Sequence, residues 1–456
     1  MTVKSTKVFD FYLTWLLNAA CMLLIHTSAV TPRLQYIFSL LLREILGLDF
    51  AFTLHEEEFL AFQGPRLAYL KMPVGGTFFI ESTDLLFENG IQPVMPAAGI
   101  HEGLPFLFGT PNPDAALPYD PFAAAFYMVS RYEEYDWQNG DKYGRFPAEE
   151  SIAFHENFLG IPVVHLWARQ LESVMRTHFP LPEPVRTGYR FIPTIDIDHA
   201  YAFYGRGMIR TLGGFGRSLL KGDFSDFLLR VKVLKGKASD PYDNYGFIRK
   251  IHDERDLHPL YFILCADYGG DDNNISVKDL RFRHLLRELD RDGGAGIHPS
   301  LASHKEKCKW ESEFQLLSGI LGRKTTISRM HFLKISFPET YRELIRWGIT
   351  DDYSMGYSSH PGFRAGIALP FFFFDLERNE TSGLRIHPFP VMDVTLKDYL
   401  RLNIHESLET IRQVIQQVRS VNGELVTLWH NESLSGRGRW EGWREVYETM
   451  LGWAAC

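Results

Sequence analysis

The chain reads as α/β: a distorted seven-stranded (β/α) barrel over residues 189–456, preceded by a smaller α/β or α+β domain over residues 1–185. Three observations predict this. After residue 189, short strand-like apolar runs alternate with helix-length segments, which implies parallel strands joined by crossover helices. The run Phe179-Pro-Leu-Pro-Glu-Pro184 stands just before that alternation, and proline restricts both its own φ and the residue before it. A length of 456 residues with 45% apolar side chains exceeds one typical domain of about 100–200 residues.

In the first domain, residues 33–48 space their apolar side chains at helical intervals, with Gly47 as a stop signal. Phe50 to Leu54 and the alternating Leu67 to Met72 read as short strands. Pro- and Gly-rich loops fill 93–119, a helix is expected over 121–135, and a polar loop carries Lys142-Tyr-Gly-Arg-Phe146. In the second domain strands are expected at 190–196, 259–265, 294–298, 326–332, 349–353, 384–389 and 424–430. Helices are expected at 243–256, 276–290, 305–321, 338–347, 396–421 and 440–453. In barrels of this kind chemistry gathers at the C-terminal ends of the strands.

Composition narrows the partners. A net charge of −8 argues against a nucleic-acid binder, which needs a basic footprint. No Lys/Arg-rich run suggests an anionic membrane surface. The apolar stretch Phe11 to Ile25 falls short of the ~20 residues of a membrane span, so no stable membrane insertion is expected. A cytoplasmic location is expected, with a secreted or periplasmic one as the alternative if that stretch is a signal; Met22 is an alternative start. Cys21, Cys265, Cys308 and Cys456 are scattered and read as free thiols.

Polar residues sit where the strand-end rule wants them. The first strand ends Thr194-Ile-Asp196-Ile-Asp198, and alternation puts the two carboxylates on one face. Such a pair is costly unless a cation or a shared proton compensates; a single Asp would read as a turn cap. His298 ends the third strand between Gly296-Ile and Pro299, His331 ends the fourth, and His430 ends the last in Leu-Trp-His430-Asn431. Neutral imidazole is the commonest metal-binding side chain near neutral pH. Asp198, His298 and His331 together would make a three-ligand site with room for water, as catalytic zinc requires. Arg329 and Arg364 are candidates for orienting a carboxylate. Backbone N–H groups after His298 are candidate oxyanion donors, and Phe371 to Phe374 reads as core or as a wall of a sugar platform. The same D-x-D pair would also suit a manganese-dependent glycosyltransferase, although no Gly-rich phosphate loop precedes it.

This string of motifs resembles the polysaccharide deacetylase superfamily (NodB homology, carbohydrate esterase family 4). Thr194-Ile-Asp196-Ile-Asp198 is similar to the family's T-F-D-D with one residue inserted. The resemblance implies Asp196 as general base and Asp198 as metal ligand. The family's H-[ST]-x-x-H is altered: no His follows His298 by four residues, and His304 lies six away. His331 is the preferred third ligand, because Ser328 to Leu333 is similar to a motif of a divergent bacterial branch. Gly296 to Ser300, Asp352 to Tyr357, Gly362 to Gly366 and Trp429 to Asn431 also resemble that branch, over about residues 189–456. Pro121 to Tyr135 and Lys142 to Phe146 resemble an accompanying domain of unknown function. The resemblance implies a metal-dependent hydrolase removing N- or O-acetyl groups from an envelope or capsular glycan or its precursor. A divalent ion, zinc first and cobalt or nickel next, would be held by Asp198, His298 and His331, with His430 as acid and Arg364 or Arg329 aiming Asp196. A glycan-binding barrel without catalysis is the remaining alternative.

Overall fold

The computed structural model describes residues 22–183, 188–266, 269, 272 and 274–455. The stretch before Met22, Cys456 and the end of the expected hinge lie outside the described residues. The chain forms two compact units, and the division is not linear. One comprises residues 1–137, 149–188 and 365–382, the other 138–148, 189–364 and 383–456. The loop around Lys142–Phe146 therefore belongs to the second unit, and Phe371–Phe374 to the first.

The first unit is α/β. Its strands β1 (Leu23–Thr27), β2 (Phe50–Thr53), β3 (Arg66–Leu70) and β4 (Phe79–Glu81) pair in parallel in the order β2-β1-β3-β4. A small antiparallel hairpin, β5 (Gly99–His101) and β6 (Leu104–Phe106), follows. The helix Pro32–Phe38 starts at Thr31, whose side chain accepts from Leu34 N, with Pro32 pre-set for the first turn. It continues as a wider π-type turn over Ser39–Ile45. Asp120 caps Pro121–Val129 and also accepts from the Tyr69 hydroxyl at 2.7 Å, which fastens that helix to β3. The expected helix over 121–135 is cut short where Arg131 turns left-handed at φ 54°. Phe38 stacks on Phe122 at 3.7 Å between ring centres, and the four phenyl rings at 371–374 are largely buried, so they serve this unit's core and no sugar platform.

In the second unit the strands are β7 (Arg190–Ile197), β8 (Leu260–Ile263), β9 (Ala295–Ile297), β10 (Ile327–Ser328) and β11 (Asp351–Asp352). After β12 (Phe371–Asp375), which falls in the first unit's segment, come β13 (Glu380–Ile386), β14 (Val391–Met392) and β15 (Glu424–His430). Within the unit the order is β13-β11-β10-β9-β8-β7-β15-β14, with parallel pairing at each step. Where a distorted seven-stranded barrel was expected, the unit forms a curled sheet whose ladder, among the described residues, stays open between β13 and β14. The cause is His387-Pro-Phe-Pro390 between them: proline has no N–H to give a ladder. A side chain spans the gap instead. His387 meets Glu424 Oε1 at 2.7 Å through Nδ1 and Asp351 Oδ1 at 2.9 Å through Nε2, tying β15 to β11.

The curl is set by what the inner face must bury. Phe262, Tyr353, Phe389, Met392, Val426 and Leu428 form one apolar cluster contributed by strands from both halves of the sheet. On a flat sheet β7 and β10 would stand about 14 Å apart, three spacings of about 4.8 Å. Yet Arg329, just past β10, reaches Thr194 on β7. Two helices that the sequence did not announce, Gly207–Leu220 and Phe224–Leu234, follow β7. Among the described residues no helix is long and apolar enough to cross a membrane.

Candidate metal centre

The strand registers bring the polar residues together. His430 stands beside Asp196 across the β15–β7 ladder, and Ser328 aligns with Ile297 and with Asp352. Ile195 and Ile197 are fully buried on the far face of β7, which turns Asp196 inward and leaves Asp198 just beyond the strand's end. Pro299 follows His298, and His331 opens a tight turn in which Phe332 and Leu333 both have positive φ, at 58° and 57°. Such strain in bulky residues persists where surrounding structure over-determines it, and it clusters at functional sites.

Asp198, His298 and His331 offer one ligand atom each, all within 4.8 Å of one another. His298 Nε2 lies 3.2 Å from Asp198 Oδ1, and His331 Nε2 lies 3.6 Å from Asp198 Oδ2. The other ring nitrogens are engaged: His298 Nδ1 on the Arg329 carbonyl at 2.6 Å, His331 Nδ1 on Asp272 Oδ1 at 2.8 Å. A donor at Nδ1 fixes the tautomer and points the Nε2 lone pair inward, the usual outer-shell arrangement of a metal-binding histidine. Asp198 Oδ1 is buried without a hydrogen bond. One carboxylate and two such imidazoles, with a lone carboxylate oxygen between them, fit a zinc-like cation that keeps open positions. His304 is not part of this group; its buried Nε2 finds no hydrogen bond and burial drives its pKa down to about 4.

The charges around the triad are arranged in pairs. Burial by itself would raise the Asp198 carboxyl, but His331 and His298 override it and hold it well below the ordinary value. Burial works against protonated His331, yet Asp198 and Asp272 push it up to about 9. His430 is likewise desolvated, and Asp393 then brings it up to about 10 by accepting from its Nδ1 at 2.9 Å and its backbone N at 2.8 Å. Its Nε2 lies 3.7 Å from Asp198 Oδ2.

Asp196, Asp198, His298, His331 and His430 all line one cavity of about 210 Å³. Arg329, fully buried, holds Asp196 from behind: one terminal nitrogen donates to Asp196 Oδ1 at 2.8 Å and Thr194 Oγ1 at 2.6 Å, and Nε donates to the Tyr353 carbonyl at 2.9 Å. Arg364 does not line the cavity; it donates to the Gly356 carbonyl at 3.1 Å and lies over Tyr357. The backbone N–H groups after His298 are committed elsewhere. Ser300 N donates to Glu313, and Leu301 and Ala302 N donate to Asp272, so the expected oxyanion donors are already spent. Sequence reasoning missed Asp272 and Asp393, and it also missed the rim. There Arg145 donates to the Phe332 carbonyl at 3.1 Å and the Tyr399 hydroxyl at 3.0 Å, and Tyr143 stacks on Phe332.

Residues 23–180 match a family of unknown function, DUF7033. No curated protein matches the chain. Among solved structures, a Mycobacterium smegmatis protein assigned as a polysaccharide deacetylase is 13% identical, with 61% of this chain and 87% of that chain covered and a TM-score of 0.39. The polysaccharide deacetylase Bc1974 of Bacillus cereus is 11% identical, covering 58% and 86%, with a TM-score of 0.27. A CE4 family pseudoenzyme of Bacillus anthracis is 13% identical, covering 58% and 60%, with a TM-score of 0.24. At such scores the likeness identifies neither activity nor substrate.

Proposed function

We propose that the second unit is a metal-dependent deacylase that removes N- or O-linked acetyl groups from a carbohydrate. The observation that carries this is the triad itself: two histidines with Nδ1 engaged and Nε2 turned on a buried carboxylate, flanked by an Arg–Asp pair on one side and an Asp–His pair on the other. Asp198, His298 and His331 would hold the cation, which when bound polarises an acyl carbonyl and acidifies water. Arg329 occupies Asp196 Oδ1 and so leaves Oδ2 on the cavity side, positioned to take a proton from an attacking water. His430, kept protonated by Asp393, delivers a proton to the leaving nitrogen or oxygen. Tyr143, Phe332 and Tyr399 at the rim offer flat faces to a sugar ring. The glycosyltransferase alternative needs both carboxylates on one cation, whereas the ligand atoms that cluster here come from Asp198, His298 and His331 without Asp196.

Metal content of the purified protein tests this beside Asp198→Ala, His298→Ala and His331→Ala. Near-stoichiometric zinc, cobalt or nickel is expected in the parent and in none of the three variants. Acetate release from acetylated chitooligosaccharides and acetylated xylan should follow metal content. A parent protein that refuses all three ions would overturn the reading.

A further inference from the structure

We propose that the helical hairpin 207–234 docks the second unit on an anionic lipid bilayer surface. The two helices leave the C-terminal end of β7, the strand that presents Asp196 and Asp198, and they return the chain to β8. They pack on each other through Phe215 and Phe227, whose ring centres lie 5.0 Å apart, and Arg230 rests over Phe203 at the hairpin's foot. Beyond those contacts the outer surface is apolar and bare. Met208 is 81% exposed, Ile209 88% and Leu220 91%, joined by Leu212, Phe224 and Leu228. Met208, Leu212 and Leu219 recur at helical spacing and make one stripe. A soluble protein rarely leaves so many large apolar side chains together without something to cover them.

Charge names the occupant. Residues 206–237 carry eight Lys/Arg against two Asp, in a chain whose formal net charge is −8. In sequence these cations are spaced too widely to read as a basic run; folding brings Arg206, Arg230 and Lys232 together at the foot of the hairpin. At its foot a recess of about 800 Å³ is lined by Arg206, Lys232 and Arg437, together with Arg230 and Arg439. Arg230 is paired with Asp226, and Arg439 with Asp398 and Glu432. Apolar side chains that enter the acyl boundary and long cations that reach phosphates together describe an interfacial element. A protein partner of matching acidity would have less use for bare Met, Ile and Leu at the helix N-terminus and tip. Placed this way, the hairpin would hold the strand ends that carry the metal centre near the lipid surface. The proposal does not depend on the deacylase reading.

Co-sedimentation of the full chain with sucrose-loaded vesicles tests it, using phosphatidylcholine alone and phosphatidylcholine with about one-third phosphatidylglycerol. Binding should be roughly tenfold or more tighter to the anionic vesicles and should weaken with salt. A Lys221→Glu, Lys232→Glu, Lys235→Glu variant should lose that preference. A Met208→Ser, Leu212→Ser, Leu220→Ser variant should lose retention on both vesicle types. All altered side chains are exposed, so circular dichroism and metal content should match the parent, which separates loss of docking from loss of fold or of the metal centre. Equal binding to neutral vesicles, indifferent to the charge variant, would overturn the proposal. So would absence of vesicle binding in a protein whose self-association is abolished by the apolar variant, because the stripe would then be an interface between copies.

Discussion

Arg329 shows how much a single side chain settles here. It has no exposure, it spans the curl of the sheet, and it sets which oxygen of Asp196 faces the cavity. Its three hydrogen bonds use the planar fork of a guanidinium, which an ammonium cannot reproduce. Arg329→Lys is therefore expected to keep a cation beside Asp196 but to lose the aim. On the deacylase reading kcat should fall by about a hundredfold while bound metal stays near the parent's level, since none of the three ligands changes. Metal analysis beside single-turnover acetate release checks this, and a variant that loses metal along with activity would make Arg329 a support of the triad instead. The grouping of Asp196, Asp198, His298, His331 and His430 around one cavity was legible because each lies in or within three residues of a strand's C-terminal end, which alternation marks, although His331 opens a turn past β10 where a strand end was expected. Asp272 and Asp393 were not, since each works from a loop after a short or absent ladder, where no period marks it. The signal available for Asp393 was its place directly after Val391-Met392, a strand of two residues.

The elements were legible to the extent that their period was strong. Seven of the eight second-unit strands lie where alternation put them, and six helices overlap their expected spans. β14 escaped because Pro388 and Pro390 stand directly before its two residues and read as a loop, and the hairpin 207–234 escaped because Gly213, Gly214 and Gly216 depress helix propensity in its first arm. Closure of the sheet was not legible, because it depends on which strand edges can donate hydrogen bonds. His387 substitutes for a ladder there, stacked on Tyr353 at 4.4 Å and held between Asp351 and Glu424. Burial disfavours its charge, but the two carboxylates outweigh burial and raise its pKa. A raised folded pKa means the tie is fully formed below the unfolded value of about 6.5 and is lost as pH climbs through the folded value. His387→Gln should cost about 3 kcal/mol at pH 6, the scale for stripping one partner from a buried ion pair. The gap between parent and variant should narrow toward alkaline pH. Urea unfolding at several pH values reads both, and a gap that widens with pH would mean His387 is neutral in the folded state.

At the scale of the whole chain, the units do not follow the order of the sequence, and a linear boundary at residues 185–189 cuts both of them. The hinge of prolines marks where strand alternation starts, which is a local property, whereas the segment 365–382 is assigned to the first unit by contacts hundreds of residues away. Within that unit the Tyr36 hydroxyl donates to the Phe372 carbonyl at 2.7 Å, Val164 N donates to Gly366 O at 2.9 Å, and Phe374 packs against Tyr36 and Phe126. A fragment of residues 189–456 keeps every residue of the candidate metal centre but strips the segment that carries buried Phe371, Phe373 and Phe374 of those neighbours. It also removes Arg145 from the rim of the cavity. Burying a phenylalanine is worth about 1.5–3 kcal/mol, so exposing three is comparable with the whole stability of a domain. The fragment is expected to aggregate or to bind a hydrophobic dye strongly when expressed alone, and to become soluble when residues 22–183 are supplied as a second chain. Soluble yield and dye fluorescence with and without the second chain decide it. A monomeric fragment with a cooperative transition at the parent's temperature would mean that residues 365–382 find other cover inside the second unit, and that this unit can be studied by itself.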